Sequence, residues 1–314
     1  MADRVVVITG PTATGKTKLG VALAKRFGGE VVSADSMQLY RRMDIGTAKP
    51  TPAEKEGVPH HMMDVAEPEE AYSVSRYVAA AAACVDDILA RGRLPLIVGG
   101  TGLYIDSLIA GRTFAPRGED TALREKYGAL YDEKGGEAML DLLAAGDPAR
   151  AAKLHPHDKK RIVRALEVLE GAGTALSAHD EETKKRPPRY EAATIVLDYA
   201  DRADLYARID RRVDEMMAAG LADEVARLLA AGVPPEATAM QAIGYKELAA
   251  ALAGEGTLEE AAETVKRASR RYAKRQLSWC GRYRDACRIR WGKVPDFDEG
   301  LRISTEFLHS AGLL

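Results

Sequence analysis

The sequence predicts an α/β protein: a parallel sheet with helices on both faces and a helical block inserted partway along the chain. Three observations predict it. Short, continuous runs of β-branched and aliphatic residues alternate with helix-like segments, as strands buried on both faces do. A glycine-rich turn joins the first such run to the first helix-like segment. Strand signals lie on both sides of a long stretch that is helical in composition and carries no clear strand.

In chain order, residues 4–9 form the first strand-like run, with Val5-Val6-Val7-Ile8 at its centre. A helix follows from Lys16 to about Phe27, and residues 30–34 form the second strand. An alanine-rich helix spans about Ser73 to Arg91, and Pro95-Leu96-Ile97-Val98-Gly99-Gly100 forms the third strand. The pattern changes around Phe114–Gly118, and residues from about 118 to 188 read as helices. Thr183-Lys184-Lys185-Arg186-Pro187-Pro188-Arg189 breaks that block and leads into a strand at Thr194-Ile195-Val196-Leu197-Asp198. From Arg202 onward the chain reads as mostly helical, broken at Pro234-Pro235.

The formal net charge of −2 excludes a globally basic nucleic-acid binder, so any such contact must come from a local basic patch. Cys84, Cys280 and Cys287 have neither metal-ligand nor CxxC spacing, which fits a reducing cytosol and no disulfide framework. The opening residues do not have the pattern of a secretory signal, and no apolar run of ~18 residues occurs. A cytoplasmic enzyme with no membrane association is expected.

The turn Gly10-Pro11-Thr12-Ala13-Thr14-Gly15-Lys16-Thr17 fits G-x-x-x-x-G-K-[ST], with a strand before it and a helix after it. Backbone N–H groups of such a loop and of the helix start converge on one anion. Lys16 adds a point charge, and the Thr17 hydroxyl suits Mg²⁺. The pattern specifies a polyphosphate site without saying which polyphosphate. Ligands of open parallel sheets bind beyond the carboxyl ends of the strands, where Asp35-Ser36 follows the second strand. Asp35 there is a metal ligand, a proton acceptor or a turn and cap residue. Gly99-Gly100-Thr101-Gly102 after the third strand brings a hydroxyl to the same end, or caps a helix.

Arg208 and Arg212 are four apart and share a helix face, either facing an anion or paired with Asp210 and Asp214. The stretch 266–290 is strongly basic: Lys266, Arg270 and Lys274 form one stripe of a helix, and Arg267, Arg271 and Arg275 the next. Leu258, Ala261, Val265, Ala268 and Tyr272 form an apolar stripe to pack on the core. Like charges at this spacing repel, so the helix serves RNA phosphate or meets acidic neighbours from elsewhere. His60, His61, His155 and His157 lack metal-ligand partners at suitable spacing. Trp279 suits stacking on a base or packing in the core.

Three segments taken together resemble the bacterial tRNA dimethylallyltransferases, the isopentenylpyrophosphate:tRNA transferases. They are the loop Gly10–Thr17, then Asp35-Ser36-Met37-Gln38-Leu39-Tyr40 running into Met43-Asp44-Ile45-Gly46-Thr47-Ala48-Lys49-Pro50, then Val98-Gly99-Gly100-Thr101-Gly102-Leu103-Tyr104. His60-His61 with Asp64, His157–Glu167, Arg208–Arg212 through Gly220-Leu221, Gly244-Tyr245 and Ala273–Gln276 with Trp279 agree in order. The resemblance thus covers nearly the whole chain.

It implies a P-loop kinase-like core over 1–117 and 189–314, and a helical insertion over 118–188 that grips the anticodon stem-loop. It implies that the phosphate loop, Gly10, Pro11, Thr12, Ala13, Thr14, Gly15, Lys16 and Thr17, takes dimethylallyl diphosphate with Mg²⁺ on Thr17. The N6 amine of the adenosine just 3′ of the anticodon would attack, releasing diphosphate. Asp35 would be the general base, Thr101 an assistant at the reaction centre, and Lys16 and Arg212 the leaving-group ligands, with Arg208 as the alternative to Arg212. The tRNA-contacting residues implied are Asp35, Ser36, Met37, Gln38, Leu39, Thr101 and Arg124; Lys160, Arg161, Ile162, Val163 and Arg164; Gln241, Ala242, Ile243, Gly244, Tyr245 and Lys246; and Lys274, Arg275, Gln276, Leu277, Ser278, Trp279, Cys280 and Gly281. A monomer is expected.

That chemistry is coherent. The adenine amine is delocalised and a poor nucleophile, so a base and a stabilised leaving group both help. A single-stranded loop base is cheap to extrude into a pocket. The rival functions are a P-loop small-molecule kinase, a prenyltransferase for free adenine nucleotides, and a non-catalytic RNA-binding switch. The kinase explains neither the Asp35–Tyr40 segment nor the basic helix, the helical block at 118–188 and the basic helix speak against the free-nucleotide enzyme, and tRNA affinity without turnover would mark the binding switch.

Overall fold

The structure is a computed structural model and describes residues 3–114, 121–173 and 175–313. Along the chain come β1 (Asp3–Thr9), α1 (Lys16–Phe27), β2 (Glu30–Ser33), α2 (Pro52–Lys55), β3 (His60–His61), α3 (Val74–Ala90), β4 (Pro95–Val98) and α4 (Gly102–Ile109). Then come α5 (Thr121–Gly146), α6 (Pro148–Ala151), α7 (Lys159–Ala172), α8 (Leu176–Lys185), β5 (Tyr190–Tyr199), α9 (Arg202–Ala218) and α10 (Leu221–Ala230). A 3₁₀ turn at Ala239–Gln241 precedes α11 (Tyr245–Leu252), α12 (Leu258–Cys280), β6 (Cys287–Trp291) and α13 (Phe297–Ser310).

The six strands form one sheet in the order β3-β2-β4-β1-β5-β6, with every neighbouring pair parallel. β1 lies at the centre. Its Val5, Val6, Val7 and Ile8 are all 1% exposed or less, so side chains pointing to either face are covered. One core cluster joins Val6 and Ile8 to Leu19 and Leu23 of α1, Ile195 and Leu197 of β5, and Trp291 and Leu308 near the end of the chain. The parallel order places the carboxyl ends of β1, β2 and β4 side by side, which brings together the three loops singled out above.

Two strands were not read from the sequence. β3 has only two residues, at the sheet edge beside β2. β6, Cys-Arg-Ile-Arg-Trp, alternates exposed Arg288 and Arg290 with buried Ile289 and Trp291. Consequently the basic stretch 266–290 is not one helix: α12 ends at Cys280, and the last two arginines of the stretch lie on β6.

The chain divides into two compact units, one made of the residues up to Gly111 and from Arg189 onward, the other Arg112–Pro188. The second unit is helical and has its own core of Tyr127, Met139, Leu143, Ile162, Val163, Ala165 and Leu166. The change of pattern read at Phe114–Gly118 falls largely outside the described residues. No helix among the described residues is long and apolar enough to cross a membrane.

Candidate active site

The phosphate loop leaves β1 at Gly10, whose φ is +141°. A Cβ there would sit 2.2 Å from the Leu197 carbonyl oxygen, so neither the dihedral nor the space admits another residue. α1 begins with no side-chain cap, which leaves its first amides free for an anion. The loop is held from outside. Trp291 Nε1 donates to the Thr14 carbonyl at 2.9 Å, and the Thr12 N–H donates to Gln276 Oε1 at 2.9 Å. Gln276 Nε2 donates in turn to the Gly100 carbonyl at 3.0 Å. Lys16 Nζ donates to the Pro11 carbonyl at 2.8 Å. Burial foremost, then the Arg212 guanidinium, pushes the Lys16 ammonium down to about 8, with Asp35 pulling the other way.

Asp35 follows β2 after a single residue, Ala34. Its Oδ1 accepts from the N–H groups of Met37 (2.8 Å) and Gln38 (3.3 Å), so one oxygen performs the turn role. No hydrogen bond to Oδ2 occurs among the described residues, which leaves that oxygen for a ligand. The Ser36 N–H donates to Thr101 Oγ1 at 3.1 Å, and the Thr101 N–H donates to the Ala34 carbonyl at 3.1 Å. Thr101 therefore stitches the loops after β2 and β4 together.

Arg208 and Arg212 sit on α9 and differ. Arg208 Nη1 is held by both carboxylate oxygens of Glu215, at 3.2 and 3.0 Å. Arg212 has no ion pair among the described residues, and burial foremost, then Arg208, lowers its pKa. Asp210 and Asp214 do not pair with these arginines: Asp210 binds Arg270, and Asp214 binds Lys266 at 2.7 Å. Two of the six basic residues on α12, Lys266 and Arg270, are thereby neutralised by α9, whereas Arg267, Arg271, Lys274 and Arg275 remain exposed.

Two cavities meet at this point. One, of about 750 Å³, is lined by the phosphate loop with Lys16, Thr17, Lys18, Arg208, Arg211 and Lys293. The other, of about 280 Å³, is lined mainly by apolar groups, among them Met37, Ile209, Val213, Leu221, Ile243 and Val265, together with Ser36, Gln241, Ala242, Tyr272 and Arg275. Thr12, Asp35, Thr47, Arg212 and Met216 line both. A carboxylate and an unpaired guanidinium thus stand in the wall between an anion cleft and an apolar chamber. This is where a group could pass from a phosphate to a nucleophile.

Several residues implied for RNA contact have side chains turned inward. Leu39 is in the core at 0% exposure, and Ile162 and Val163 belong to the core of the helical unit. Tyr245 is buried with its hydroxyl on Glu224 at 2.6 Å. Gln276 is spent on the phosphate loop, and Cys280 is buried. Trp279 is half-buried, donates from Nε1 to Asp106 Oδ2 at 3.1 Å and packs against Gly102. Thr101 is half-buried and lines neither cavity. Gly244 is the residue before α11, Lys246 is exposed on α11 beside Glu247, and Leu277, Ser278 and Gly281 surround the end of α12. In the helical unit Lys160 and Arg161 are exposed, while Arg124 and Arg164 both bind the buried Glu167, at 3.0 and 2.7 Å.

Sequence reasoning assigned Tyr272 to the core stripe of α12. It lines the apolar chamber instead, and burial foremost, then the charge of Asp35, pushes its phenol up to about 12. Leu258, placed at the head of that stripe, is exposed. Ile209, Val213 and Met216 were also missed, although their helical spacing beside Arg208 and Arg212 was visible.

No group of three or more metal-ligating side chains occurs among the described residues. Thr17 does line the phosphate cleft. One hydroxyl with substrate phosphates and waters is an ordinary Mg²⁺ environment, so the residues present fit that ion.

Comparison with known proteins gives a consistent picture. Residues 38–283 match the IPP transferase family model, and residues 3–67 match the isopentenyl transferase model. The tRNA dimethylallyltransferase of Geobacillus kaustophilus is 49% identical over 296 residues, covering 94% of this chain and 92% of the relative. That of Bacillus subtilis is 44% identical, covering 99% and 97%. Among solved structures, the full-length tRNA isopentenylpyrophosphate transferase of Bacillus halodurans superposes with a TM-score of 0.73 at 42% identity, covering 99% of this chain and 96% of that one. A eukaryotic dimethylallyltransferase described as acting on tRNA superposes with a TM-score of 0.81 at 28% identity, covering 98% and 80%.

Proposed function

The chain belongs to the IPP transferase family, and from that premise we infer that it transfers a dimethylallyl group from dimethylallyl diphosphate to tRNA. The acceptor is the N6 amine of the adenosine 3′-adjacent to the anticodon, and diphosphate is released. The enzyme is a tRNA-modifying prenyltransferase that acts in the cytoplasm as a monomer. The single observation that carries this reading is the shared wall of the two cavities, where Asp35 and Arg212 face both.

In this reading the diphosphate occupies the loop Gly10–Thr17, held by backbone amides, Lys16 and the Arg212 fork. Arg212 is the better candidate than Arg208 because Glu215 already occupies Arg208. The allylic chain lies against Ile209, Val213 and Met216. The extruded adenine enters the apolar chamber beside Tyr272 and Ile243. Its N6 nitrogen attacks the allylic carbon, the bond from that carbon to the diphosphate oxygen breaks, and Asp35 Oδ2 takes the N6 proton. Positive groups in place before the reaction stabilise the charge growing on the leaving group without having to reorganise. Thr17 would hold Mg²⁺, and the ion would supply further charge neutralisation. The exposed face of α12, with Arg271 and Lys274, and the exposed Lys160 and Arg161 of the helical unit offer phosphate contacts to the anticodon stem-loop.

The decisive experiment is incubation with dimethylallyl diphosphate and an anticodon stem-loop, followed by mass measurement of the RNA. A gain of one dimethylallyl unit on the target adenosine is expected. An unmodified RNA would refute the reading.

A further inference from the structure

α10 buries a carboxylate with no cation beside it. Glu224 is 4% exposed and makes no ion pair among the described residues. Its Oε2 accepts from the N–H groups of Asp44 and Ile45, both at 2.9 Å. Its Oε1 accepts from the Gly46 N–H at 3.2 Å and from the Tyr245 hydroxyl at 2.6 Å. Three successive amides form a small anion nest, and here the anion is supplied by the protein. A carboxylate desolvated in this way is costly unless every donor is in place, so the loop 44–46 is tightly fixed in position and direction. Gly46 shows how closely it is pressed down: a Cβ there would sit 2.5 Å from the Tyr245 ring and 2.8 Å from Leu221.

The clamped loop leads to the site. Gly46 lines the apolar chamber, and Thr47 lines both cavities. The carbonyls of Thr47 and Ala48 accept from Gln38 Nε2 at 3.2 and 3.1 Å. Gln38 is fixed at its other end by the Ser33 hydroxyl at 3.2 Å, and its own N–H donates to Asp35 Oδ1. An unbroken chain of hydrogen bonds and loop backbone therefore runs from the buried carboxylate to the base.

We propose that Glu224 is a positioning residue for the transfer, acting through the Asp44–Thr47 loop and Gln38 to aim Asp35 at the acceptor amine and to set the chamber wall at Thr47. This assignment rests on the transfer reading above. Glu224 touches neither substrate. Its effect belongs to the chemical step and to the seating of the base, while the phosphate loop, Lys16 and Arg212 keep their own supports.

The test compares Glu224→Gln, Gln38→Leu, Tyr245→Phe and the Glu224→Gln/Gln38→Leu double variant, using the full chain. It measures kcat and KM with an anticodon stem-loop, the Kd for dimethylallyl diphosphate and the thermal midpoint. Glu224→Gln is expected to lower kcat roughly 10- to 100-fold, the scale of a small misplacement of a reacting group. Diphosphate affinity is expected to stay within about twofold, and the double variant to cost little more than either single change. Tyr245→Phe, which removes only one of four donors, should lower kcat less. Full kcat in Glu224→Gln, additive losses in the double variant, or parallel falls in kcat and diphosphate affinity would overturn the proposal. Should Glu224→Gln fail to fold, a lowered kcat at unchanged diphosphate affinity in both Gln38→Leu and Tyr245→Phe upholds the relay, and full kcat in both overturns it. Wild-type turnover in the same assay separates failure of this assignment from failure of the transfer reading.

Discussion

Lys16 sits between two demands. Burial and the neighbouring Arg212 disfavour its charge, and a diphosphate in the loop restores it. Because the free enzyme holds the ammonium only up to about pH 8 and the anion binds the charged form, affinity should weaken as pH rises through that value. The KM for dimethylallyl diphosphate measured from pH 7 to 9.5 should therefore climb above about pH 8, whereas a flat profile would mean that Lys16 is not in contact with the phosphates. Lys16→Ala should abolish transfer with tRNA affinity retained, as read by turnover and by RNA binding in parallel. Arg212→Ala should raise the barrier by about 3–4 kcal/mol, by analogy with oxyanion donors, and Arg212→Lys should recover little because a point charge does not replace the fork. Arg208→Ala should cost less, since Glu215 already holds that guanidinium. At this scale the sequence was informative where a residue type is tied to a local pattern, as at Lys16 and Asp35. It was silent on Glu224, because a lone glutamate on an amphipathic helix reads as surface until the loop it captures is known. It was misleading on Tyr272, because helical spacing cannot distinguish a side chain that fills a core from one that lines a chamber.

α12 shows the same division along a whole element. A capping box at Thr257 and Glu260 starts it, and Ala261, Val265, Ala273, Gln276 and Cys280 bury one face. Its charged face is split. Lys266 is held by Asp214 and Glu263 at 2.7 and 2.8 Å, and Arg270 by Asp210. Arg271 is exposed with no ion pair among the described residues. Arg271→Ala should thus weaken tRNA binding and lower the slope of log K against log salt by about one unit, while Lys266→Ala leaves the slope nearly unchanged. Binding isotherms from 50 to 300 mM salt check both, and equal slopes in all three proteins would place the RNA elsewhere. The helix was legible from its periodicity. The neutralisation of Lys266 and Arg270 was not, because Asp210 and Asp214 reach them only through tertiary packing. β6 was hidden for a related reason: Arg288 and Arg290 extended an apparent charge run and masked the alternation with Ile289 and Trp291.

At the scale of the molecule, a parallel sheet was legible in strands alternating with helices, though its order was not, and the loops after β1, β2 and β4 fell at the carboxyl ends of the strands. What composition could not supply were the long-range ties. Glu30 is one: its buried carboxylate binds Arg91, Arg93 at 3.0 Å and His61 at 2.7 Å. The Arg91 hydrogen bond foremost, opposed by burial and aided by His61, holds its carboxyl down to about 2. A depressed carboxylate contributes its stability above the unfolded value near 4.5 and loses it as pH falls toward 2. Glu30→Gln should therefore narrow the difference between urea midpoints at pH 7 and pH 3, and an unchanged difference would place the acid sensitivity in other groups. Trp291 is the other tie. It packs in the central core and bonds the carbonyl of Thr14, so Trp291→Ala should cost about 3–5 kcal/mol, seen as a lower urea midpoint, and should also weaken diphosphate binding. This second tie bears on how the protein is made. The ribosome delivers the phosphate loop 277 residues before its tryptophan brace, so a nascent chain carries a complete binding motif that stays unbraced until that tryptophan has emerged.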